Sequence, residues 1–370
     1  MSQVPFIDLK AQYRAIKENV DARIQKVLDH AAYVNGPEVV ECEQALAKYA
    51  GTKYALACAS GTDALLIPMM ALGIGPGDEV ITSPFSFIAT AETIVLTGAT
   101  PVYVDIDPLT FNIDTKKIEA AVTPKTKAII PVSLYGQIAD MDSINSIAKK
   151  HNLFVIEDAA QSFGATYKNK KSCNVSLVGA TSFFPSKPLG CFGDGGAIFT
   201  NDEKLLVAMK EIREHGSEKR YYHTRLGING RLDTLQCAII LAKLERFPWE
   251  VTQRQRIAER YNQAFASIKA DGFSFPKISS DCTSVWAQYT LIVKNRDSFQ
   301  KKLTEKGIPT SVHYPQIMPD QPWYKANSKT PPMDWTVARW AANNVISLPM
   351  FPDMSEAIQD QVIKAVKECV

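Results

Sequence analysis

The sequence predicts an α/β fold, in which a mainly parallel sheet carries helices on both faces and a smaller C-terminal α/β domain follows. From Tyr54 to Thr200, short runs rich in β-branched residues alternate with helical stretches, as they do in βα units. Several of the runs are apolar throughout, which is typical of strands buried on both faces of a sheet. The composition changes near residue 250, which indicates a second domain.

Seven segments are predicted to form strands of the sheet. They are residues 54–59, 79–83, 101–106, 127–132, 153–158, 181–184 and 196–200. The amphipathic stretches TKKIEAAV and DSINSIAKKH between them predict helices. A further helical region begins near Leu232 and runs toward Phe265, and we expect it to break at Pro248.

Two domains are predicted, a large one over residues 1–249 and a small one over residues 250–370. In the small domain, residues 287–294 predict a strand, and the helix that follows is expected to end at Gly307. A helix over about residues 10–30 precedes the sheet. We expect it to pack on the small domain or on a neighbouring subunit.

The bulk composition is that of an ordinary globular protein. Of the 370 residues 46% are hydrophobic and 22% are charged, and the formal net charge is +2. This balance gives no support for nucleic-acid or membrane binding, so an anionic ligand has to be held by a local site. The N-terminal sequence lacks the features of a signal peptide, and no apolar stretch is long enough to span a membrane.

Seven cysteines stand singly along the chain, an odd number with no CxxC pair. This spacing disfavours a disulfide framework and a metal site, and it fits a reducing cytoplasm as the location. A small buried thiol is the common role for such residues, and a lone catalytic thiol stays open as an alternative.

A candidate site begins at Asp158, which ends the apolar segment LFVIED. Ligands of open α/β sheets gather at the carboxyl ends of the strands, so a carboxylate in this position can face a ligand. The alternative is an ordinary helix N-cap, a position that favours Asp. Taken alone, the cap is the more frequent role.

Lys187 lies between a strand segment and a glycine-rich turn, in TSFFPSKPLGCFGDGG. A lysine in a loop is normally a solvated surface charge. Its neighbours here are Phe183, Phe184, Pro185, Pro188, Leu189 and Phe192. Burial among such side chains lowers the pKa of the ammonium, and the neutral amine is the form that Schiff-base chemistry needs.

Ser60, Gly61 and Thr62 follow the first strand and precede a helix. Helix N-terminal amides and a hydroxyl form an anion site suited to phosphate, although Ser and Thr also cap helices routinely. Pyridoxal phosphate (PLP) needs a lysine for its aldehyde, a carboxylate for its pyridine nitrogen and an anchor for its phosphate. The three features together therefore predict a PLP site in which Lys187 forms the Schiff base.

The chain also carries a long series of motifs in a fixed order. They are FIDLKAQY, NGPEV, SGTDAL, GPGDEVITSPFSFIATAE, PVYVDID, EDAAQSFGA, SFFPSKPLGCFGDGGA, RLDTLQCAII and VHYP. Over essentially its whole length the chain thereby resembles the sugar-nucleotide aminotransferases of the DegT/DnrJ/EryC1/StrS family. The resemblance implies the architecture of a fold type I PLP-dependent transferase, and a homodimer with shared active sites.

The resemblance also implies roles around the cofactor ring. Lys187 would bind the aldehyde and then move the proton between the substrate carbon and the cofactor C4′. Asp158 would pair with the pyridinium, Gln161 would contact the side of the ring hydroxyl, and Phe87 would stack on the ring face. Residue 187 is Lys, whereas His marks the related PLP-dependent sugar dehydratases, which disfavours that alternative.

The phosphate and the substrate have their own implied residues. Ser182, Thr62 and the Gly61 amide would hold the phosphate, and Asn229 would reach it from the other subunit. The implied substrate-binding residues are Arg231, His313 and Tyr314. We expect Arg231 or His313 to recognise an anionic end of the substrate.

Each of these residues also has a plainer interpretation. Phe87 could belong to the core, Asn229 to a turn with Gly230, His313 to a structural hydrogen bond and Arg231 to a salt bridge.

The resemblance implies transamination, with L-glutamate as amino donor and a keto-sugar nucleotide as acceptor. Within the family it favours UDP-2-acetamido-2-deoxy-3-oxo-glucuronate, on a route to surface polysaccharide such as the O-antigen of lipopolysaccharide. The alternatives are an aminotransferase for a dTDP-linked 3-keto or 4-keto-6-deoxy sugar and a PLP-binding regulator without turnover. A nicotinamide-dependent oxidoreductase is disfavoured, because no GxGxxG follows the first strand.

Overall fold

The computed structural model of the protein describes residues 4–327 and 329–370. The helices are α1 Leu9–His30, α2 Pro37–Ala50, α3 Gly61–Ala71, α4 Ala89–Leu96, α5 Thr115–Ile118, α6 Met141–His151, α7 Glu203–Arg213, α8 Thr234–Phe265, α9 Arg296–Glu305, α10 Pro322–Asn327, α11 Thr336–Asn344 and α12 Glu356–Cys369. The strands are β1 Tyr54–Cys58, β2 Glu79–Thr82, β3 Thr100–Tyr103, β4 Thr126–Ile130, β5 Phe154–Asp158, β6 Thr166–Tyr167, β7 Lys170–Lys171, β8 Val178–Ser182, β9 Gly196–Thr200, β10 Ser217–Lys219, β11 Tyr222–His223, β12 Phe273–Ser274, β13 Tyr289–Val293 and β14 Val345–Leu348. Within the described ranges, every helix is too short or too polar to pass through a lipid bilayer.

The central sheet has seven strands in the order β1-β9-β8-β5-β4-β2-β3. Strand β9 runs antiparallel to both of its neighbours, and the remaining pairs are parallel. All seven predicted segments overlap these strands, so the prediction of a mainly parallel sheet is confirmed. The carboxyl ends of β1, β2, β5 and β8 therefore meet at one edge of the sheet, where α/β proteins bind their ligands.

Helices cover both faces of the sheet, and β1 shows how the sequence arranges this. Ala55 and Ala57 pack into a core with α2 and α8, whereas Leu56 and Cys58 pack into a second core with α3 and α7. Successive side chains of a strand point to opposite faces, so an apolar run without polar interruptions fills both cores.

The long helix α8 continues through Pro248, and the prediction of a break at this residue is therefore wrong. Proline removes one helical N–H donor and costs roughly 3 kcal/mol in a helix interior. Packing on both sides of the proline outweighs that cost. Phe247 is fully buried in the core beneath the sheet, and Tyr261 and Phe265 are fully buried in the core of the C-terminal region. Because α8 runs through residues 249 and 250, the predicted domain boundary falls inside a helix and not between two elements. The division into two domains stays a prediction.

The C-terminal region contains a three-stranded antiparallel sheet of β12, β13 and β14. The second half of α8 packs on it together with α9 and α12. Strand β13 and helix α9 correspond to the predicted strand and helix, whereas β14 was not predicted.

The N-terminal helix α1 packs along α8. Val20 lies in a small core with Ile239 and Ala242, and Gln12 Nε2 donates to the Glu250 carboxylate at 3.0 Å. The expectation that this helix packs on the small domain or on a neighbouring subunit stays a prediction, because its contacts lie along α8, which crosses the predicted domain boundary. Val4, which precedes the helix, joins the core of the C-terminal region.

Candidate active site

A cavity of about 460 Å³ opens at the edge of the sheet where β1, β2, β5 and β8 end. Nine of the residues predicted from the sequence line it: Gly61, Thr62, Phe87, Asp158, Gln161, Ser182, Lys187, His313 and Tyr314. The sheet brings the first seven together, and the segment between α9 and α10 adds His313 and Tyr314. Residues far apart in the sequence thus form one site.

Asp158 lies at the floor of the cavity and is buried. Its carboxylate accepts a hydrogen bond from Thr90 Oγ1 at 2.6 Å and one from the Ala160 amide at 3.1 Å. Burial raises the pKa of this carboxyl, while these two hydrogen bonds and the charge of Lys187 act in the opposite direction. No described helix begins at Asp158, so the N-cap interpretation is wrong, and the carboxylate is available to a cationic partner in the cavity.

Lys187 lies in the loop between β8 and β9 and is half-buried. Its backbone amide donates to the Phe184 carbonyl at 2.8 Å, and the Cys191 amide donates to the Phe183 carbonyl at 2.7 Å, which closes a tight loop. Burial lowers the pKa of the Lys187 ammonium, and the Asp158 carboxylate partly opposes this shift. Across the described residues no acceptor binds its Nζ, so the amine is free to engage a ligand.

The apolar surroundings predicted for Lys187 are only partly present. Phe183 and Leu189 are buried, whereas Phe184, which lines the cavity, and Phe192 are about half-exposed. A lysine on such a boundary is desolvated on one side and still open to a ligand on the other.

The N-terminus of α3 forms an anion cradle at the end of β1. Ser60 caps the helix, because its Oγ accepts the Asp63 amide at 3.0 Å. The amides of Gly61 and Thr62 stand in the first turn of the helix and have no carbonyl one turn earlier to bind. Ser182 Oγ, at the end of β8, lies 3.0 Å from the position that a Cβ on Gly61 would take. The donors of this cradle suit a phosphate group.

Gly61 is the residue on which the cradle depends. A Cβ at this position would lie 2.6 Å from Ser182 Cβ, which is closer than real contacts allow. We therefore expect Gly61→Ala to weaken PLP binding by about tenfold or more, as the loss of one or two charged hydrogen bonds would. The measurement is a spectroscopic titration of the protein with PLP.

Gly75→Ala is the matched control for Gly61→Ala. Gly75 follows the other end of α3, and the nearest atom to its added Cβ, the Thr97 carbonyl oxygen, would lie 3.7 Å away. We expect this variant to bind PLP as the parent does. Equal affinities for all three proteins would contradict a phosphate site at Gly61.

Gln161 and Tyr314 form a hydrogen-bonded wall of the cavity, and the backbone of Tyr135 binds Gln161. Gln161 Oε1 accepts the Tyr135 amide at 2.9 Å, and Gln161 Nε2 donates to Tyr314 Oη at 3.3 Å. Phe87 lies 6.3 Å from the Tyr314 ring, between ring centres, and is 54% exposed. The interpretation of Phe87 as a core residue is therefore wrong, since its ring faces the cavity and solvent.

His313 is held by serines. Its Nδ1 lies 2.8 Å from Ser347 Oγ, its Nε2 lies 3.4 Å from Ser311 Oγ, and its carbonyl accepts the Tyr135 hydroxyl. Burial and the charge of Lys187 lower the pKa of His313 to about 4, so the ring is neutral at pH 7. Recognition of an anionic substrate by a charged His313 is therefore not supported, and the structural interpretation fits this ring better.

Arg231 and Asn229 lie outside the cavity of their own chain. Arg231 Nη1 donates to Glu214 Oε2 at 3.0 Å, which is the salt bridge that the plainer interpretation expects. The Asn229 side chain is exposed, while the neighbouring Gly230 carbonyl accepts the Ala59 amide at 2.9 Å. Both residues thus lie beside the cradle without lining it.

Sequence reasoning missed several residues that line the cavity. They are Ser86, Thr90, Asp194 and Gln288, together with Ser186 and Phe184 at its mouth. Thr90 is the most informative, because it lies on α4 and donates the shortest hydrogen bond to Asp158. Nothing in FSFIATAE distinguishes this threonine from an ordinary helix residue, and only the fold brings α4 over the end of β5.

A protein-family model described as the DegT/DnrJ/EryC1/StrS aminotransferase family matches residues 14–367. The chain belongs to this family. The aminotransferase is 56% identical over 354 residues to UDP-2-acetamido-2-deoxy-3-oxo-D-glucuronate aminotransferase of Pseudomonas aeruginosa. The matched region covers 96% of this chain and 97% of that protein. The predictions of the family and of an enzyme that transfers amino groups are confirmed.

Two solved structures relate the aminotransferase to enzymes with bound ligands. DesV of S. venezuelae, in complex with a ketimine intermediate, has a TM-score of 0.96 at 38% identity, covering 100% of this chain and 98% of that one. NtdA of Bacillus subtilis, with bound cofactor PMP, has a TM-score of 0.91 at 32% identity. This match covers 100% of this chain and 85% of the NtdA chain. The fold type I architecture and the PLP cofactor are confirmed.

The cavity of the aminotransferase fits PLP by the chemistry of its donors. A free amine, a buried carboxylate and an anion cradle stand around one space, and any side chain at Gly61 would fill the cradle. When bound, PLP supplies an aldehyde for the amine and a pyridinium ring that accepts electrons from the substrate carbon.

Proposed function

We propose that the aminotransferase transfers the amino group of L-glutamate to UDP-2-acetamido-2-deoxy-3-oxo-glucuronate, in the cytoplasm, on a route to surface polysaccharide such as the O-antigen of lipopolysaccharide. The observation that carries this proposal is the convergence of Lys187, Asp158 and the α3 cradle in one cavity. The identity of 56% to an aminotransferase named for this substrate supports the choice of acceptor.

Lys187 and Asp158 have different roles in the proposed reaction. Lys187 Nζ would hold the cofactor through its aldehyde and would carry the proton between the substrate carbon and the cofactor C4′. A free, half-buried amine whose pKa is lowered by burial suits this role, because burial favours the neutral form that accepts a proton. Asp158 would accept the pyridinium N–H, and Thr90 and the Ala160 amide orient its carboxylate.

The phosphate and the ring are held from two sides. The amides of Gly61 and Thr62 and the hydroxyls of Thr62 and Ser182 bind the phosphate. Gln161 would contact the side of the ring hydroxyl, and Phe87 would stack on the ring face, since both side chains line the cavity. Tyr314, which borders this space, contacts the substrate.

The choice of acceptor is tested with a panel of keto-sugar nucleotides, each assayed with glutamate. We expect the UDP-linked 3-oxo-uronate to have the highest kcat/KM. Preference for a dTDP-linked 6-deoxy keto-sugar would overturn the choice of acceptor, and absence of turnover with every member would favour a regulator that only binds PLP.

Arg231 is proposed to bind the substrate carboxylate in the cavity of a partner subunit, because it lies outside the cavity of its own chain. A guanidinium can bind a carboxylate with two hydrogen bonds. We expect Arg231→Ala to lower kcat/KM for the uronate by roughly tenfold to a hundredfold, the effect of losing a charged hydrogen bond. An analogue with a neutral alcohol at C6 should lose less, and equal losses for the two substrates would contradict this role.

The active sites are proposed to be shared in a homodimer, with Asn229 reaching the phosphate in the partner's cavity. This is tested by mixing Lys187→Ala chains with Asn229→Ala chains. Each variant by itself is expected to be impaired. A hybrid dimer, with one chain of each variant, contains one site in which both residues are native if the sites are shared. Random mixing should restore about a quarter of the parent activity if the two-fold dimer shares its sites. No recovery on mixing would contradict shared sites.

A further inference from the structure

Gln288 contributes an incompletely hydrogen-bonded side chain to the wall of the active-site cavity. It directly precedes β13, lines the cavity together with Lys187 and His313, and is partly buried. Within residues 4–327 and 329–370, its Oε1 is buried and accepts no hydrogen bond. A buried amide oxygen without a donor raises the free energy of the folded protein, and such atoms are rare. The cavity wall therefore presents a hydrogen-bond acceptor.

The polar side chains beside Gln288 are paired with one another. Gln288 and Thr290 point to the same face of the C-terminal sheet, because they are two residues apart. Thr290 Oγ1 lies 2.9 Å from Ser347 Oγ, which lies 2.8 Å from His313 Nδ1. Gln161, which also lines the cavity, uses both ends of its amide. In the described part of this wall, Gln288 is thus a polar side chain whose oxygen has no structural partner.

Two spaces of very different size border Gln288. One is a narrow cavity of about 20 Å³, whose lining includes Phe111, Tyr135 and Trp286. A space of this size holds about one water molecule. The other is the active-site cavity of about 460 Å³. A substrate that pairs with Gln288 must therefore occupy the active-site cavity, and the alternative partner is a single water molecule.

The chemistry of the ligands limits what can bind an acceptor. Under the proposed function, the phosphate, diphosphate and carboxylate groups accept hydrogen bonds and cannot serve Oε1. The pyridinium N–H of the cofactor is assigned to Asp158, and the amine of glutamate reacts beside Lys187. The cavity is too small for the cofactor together with a whole nucleotide sugar, so the nucleoside extends outside it. The sugar ring remains, with an acetamido N–H and a hydroxyl on the two carbons beside the reacting C3.

We propose that Gln288 is a specificity-determining residue, whose Oε1 accepts a hydrogen bond from a donor beside the reacting carbon of the keto-sugar. The inference rests on the proposed function and adds a substrate-binding residue to its site. The donor is the acetamido N–H at C2 or the hydroxyl at C4. A site that pairs with such a group discriminates against sugars that lack it, because the buried oxygen would then stay unpaired.

The two halves of the reaction test this contact, since the sugar takes part in only one of them. Transfer from glutamate to the cofactor and transfer from the cofactor to the keto-sugar are followed separately by the absorbance of the bound cofactor. Gln288→Met keeps the length of the side chain and removes the amide. We expect it to lower the second-order rate constant of the keto-sugar half by about tenfold or more. The glutamate half should stay within about twofold of the parent.

Gln137→Met is the matched control. Gln137 is buried, its Nε2 donates to the Lys277 carbonyl at 3.2 Å, and its Oε1 accepts the Ser279 amide at 2.7 Å. It does not line the active-site cavity. This variant should have a lower melting temperature than the parent and keep both half-reactions within about twofold. Gln288→Met should melt at or above the temperature of the parent, because it removes an unpaired buried oxygen.

Two results with Gln288→Met would overturn the inference. Equal losses in both half-reactions, with a lower melting temperature, would show that Gln288 has a structural role. No loss in either half-reaction would show that water satisfies the oxygen.

Two substrate analogues identify the donor. Hydrogen replaces the acetamido group at C2 in one and the hydroxyl at C4 in the other. The parent and Gln288→Met should react equally with the analogue that lacks the donor, whereas the variant should keep its defect with the other. A full defect with both analogues would overturn the contact with these groups. A parent that completes the glutamate half but aminates no keto-sugar nucleotide would overturn the proposed function instead, and this outcome is observed before any variant is made.

Discussion

Lys187→Ala is expected to reduce transamination by at least about 10³-fold, because it removes both the attachment of the cofactor and the group that transfers the proton. The fold should survive, since Lys187 Nζ binds no acceptor among the described residues and its loss leaves no buried partner unpaired. The activity is measured with glutamate and a keto-sugar nucleotide, and the fold by circular dichroism and thermal unfolding. PLP should still bind through the cradle.

Lys171→Ala is the matched control for this variant. Lys171 is also half-buried, burial also lowers its pKa, and its Nζ lies 3.4 Å from the centre of the Tyr49 ring. It does not line the cavity, so we expect activity within about twofold of the parent, as for a change away from the site. Transamination by Lys187→Ala at a rate close to that of Lys171→Ala would show that Lys187 is not the reacting amine.

Asp158→Asn is expected to lower kcat by roughly 10²- to 10³-fold, the range for breaking one partner of a buried charge pair. An amide cannot neutralise the pyridinium, so the ring accepts electrons less readily. The amide oxygen can still accept from the Ala160 amide, and the amide NH2 can donate to the Thr90 hydroxyl, which also accepts hydrogen bonds. The thermal stability should therefore change little. The measurement is steady-state kinetics at saturating PLP.

Glu157→Gln provides the control at the neighbouring position. Glu157 is also buried, but its carboxylate accepts from Ser133, Ser172 and the Cys173 amide and does not line the cavity. We expect this change to lower the melting temperature and to leave kcat within a few-fold of the parent, since it removes structural hydrogen bonds only. If the two variants lose the same activity, Asp158 has no role beyond that of a structural carboxylate.

The sheet could be predicted from the sequence because its strands are apolar on both faces and alternate with amphipathic helices. Prediction from the sequence failed where tertiary packing determines the secondary structure. Pro248 is a strong local sign of a break, yet burial on both sides of it keeps α8 continuous. Strand β14, VISL, is a short apolar run with no distinctive neighbours, and its pairing with β13 comes from distant parts of the chain.

The site was predictable where a residue type and a strand end coincide, as at Asp158, Lys187 and the cradle after β1. Thr90 and Tyr135 were missed because their roles depend on which elements lie over the strand ends. Lys243 is a further residue whose environment could not be predicted from the sequence. It stands in the middle of α8, where the sequence gives no sign of burial, and yet it is 3% exposed, and burial lowers its pKa to about 8.

Lys243 is also the best competitor for the role of Lys187, since both are lysines with a lowered pKa. Geometry separates them. Lys243 Nζ lies 5.4 Å from the centre of the Phe192 ring, where it is close enough to Glu250 to interact with its charge, and it does not line the cavity. Of the lysines in residues 4–327 and 329–370, Lys187 is the one that lines the same cavity as Asp158 and the cradle.

The position of the reacting amine is the central claim, and borohydride tests it most directly. The PLP-loaded protein is reduced, which fixes the cofactor to the amine that holds its aldehyde, and it is then digested and mapped by mass spectrometry. We expect the label on the peptide that contains Lys187, and its loss when the protein is treated with glutamate before reduction. Labelling of Lys243 or another lysine in place of Lys187, or a label that glutamate does not remove, would contradict the assignment.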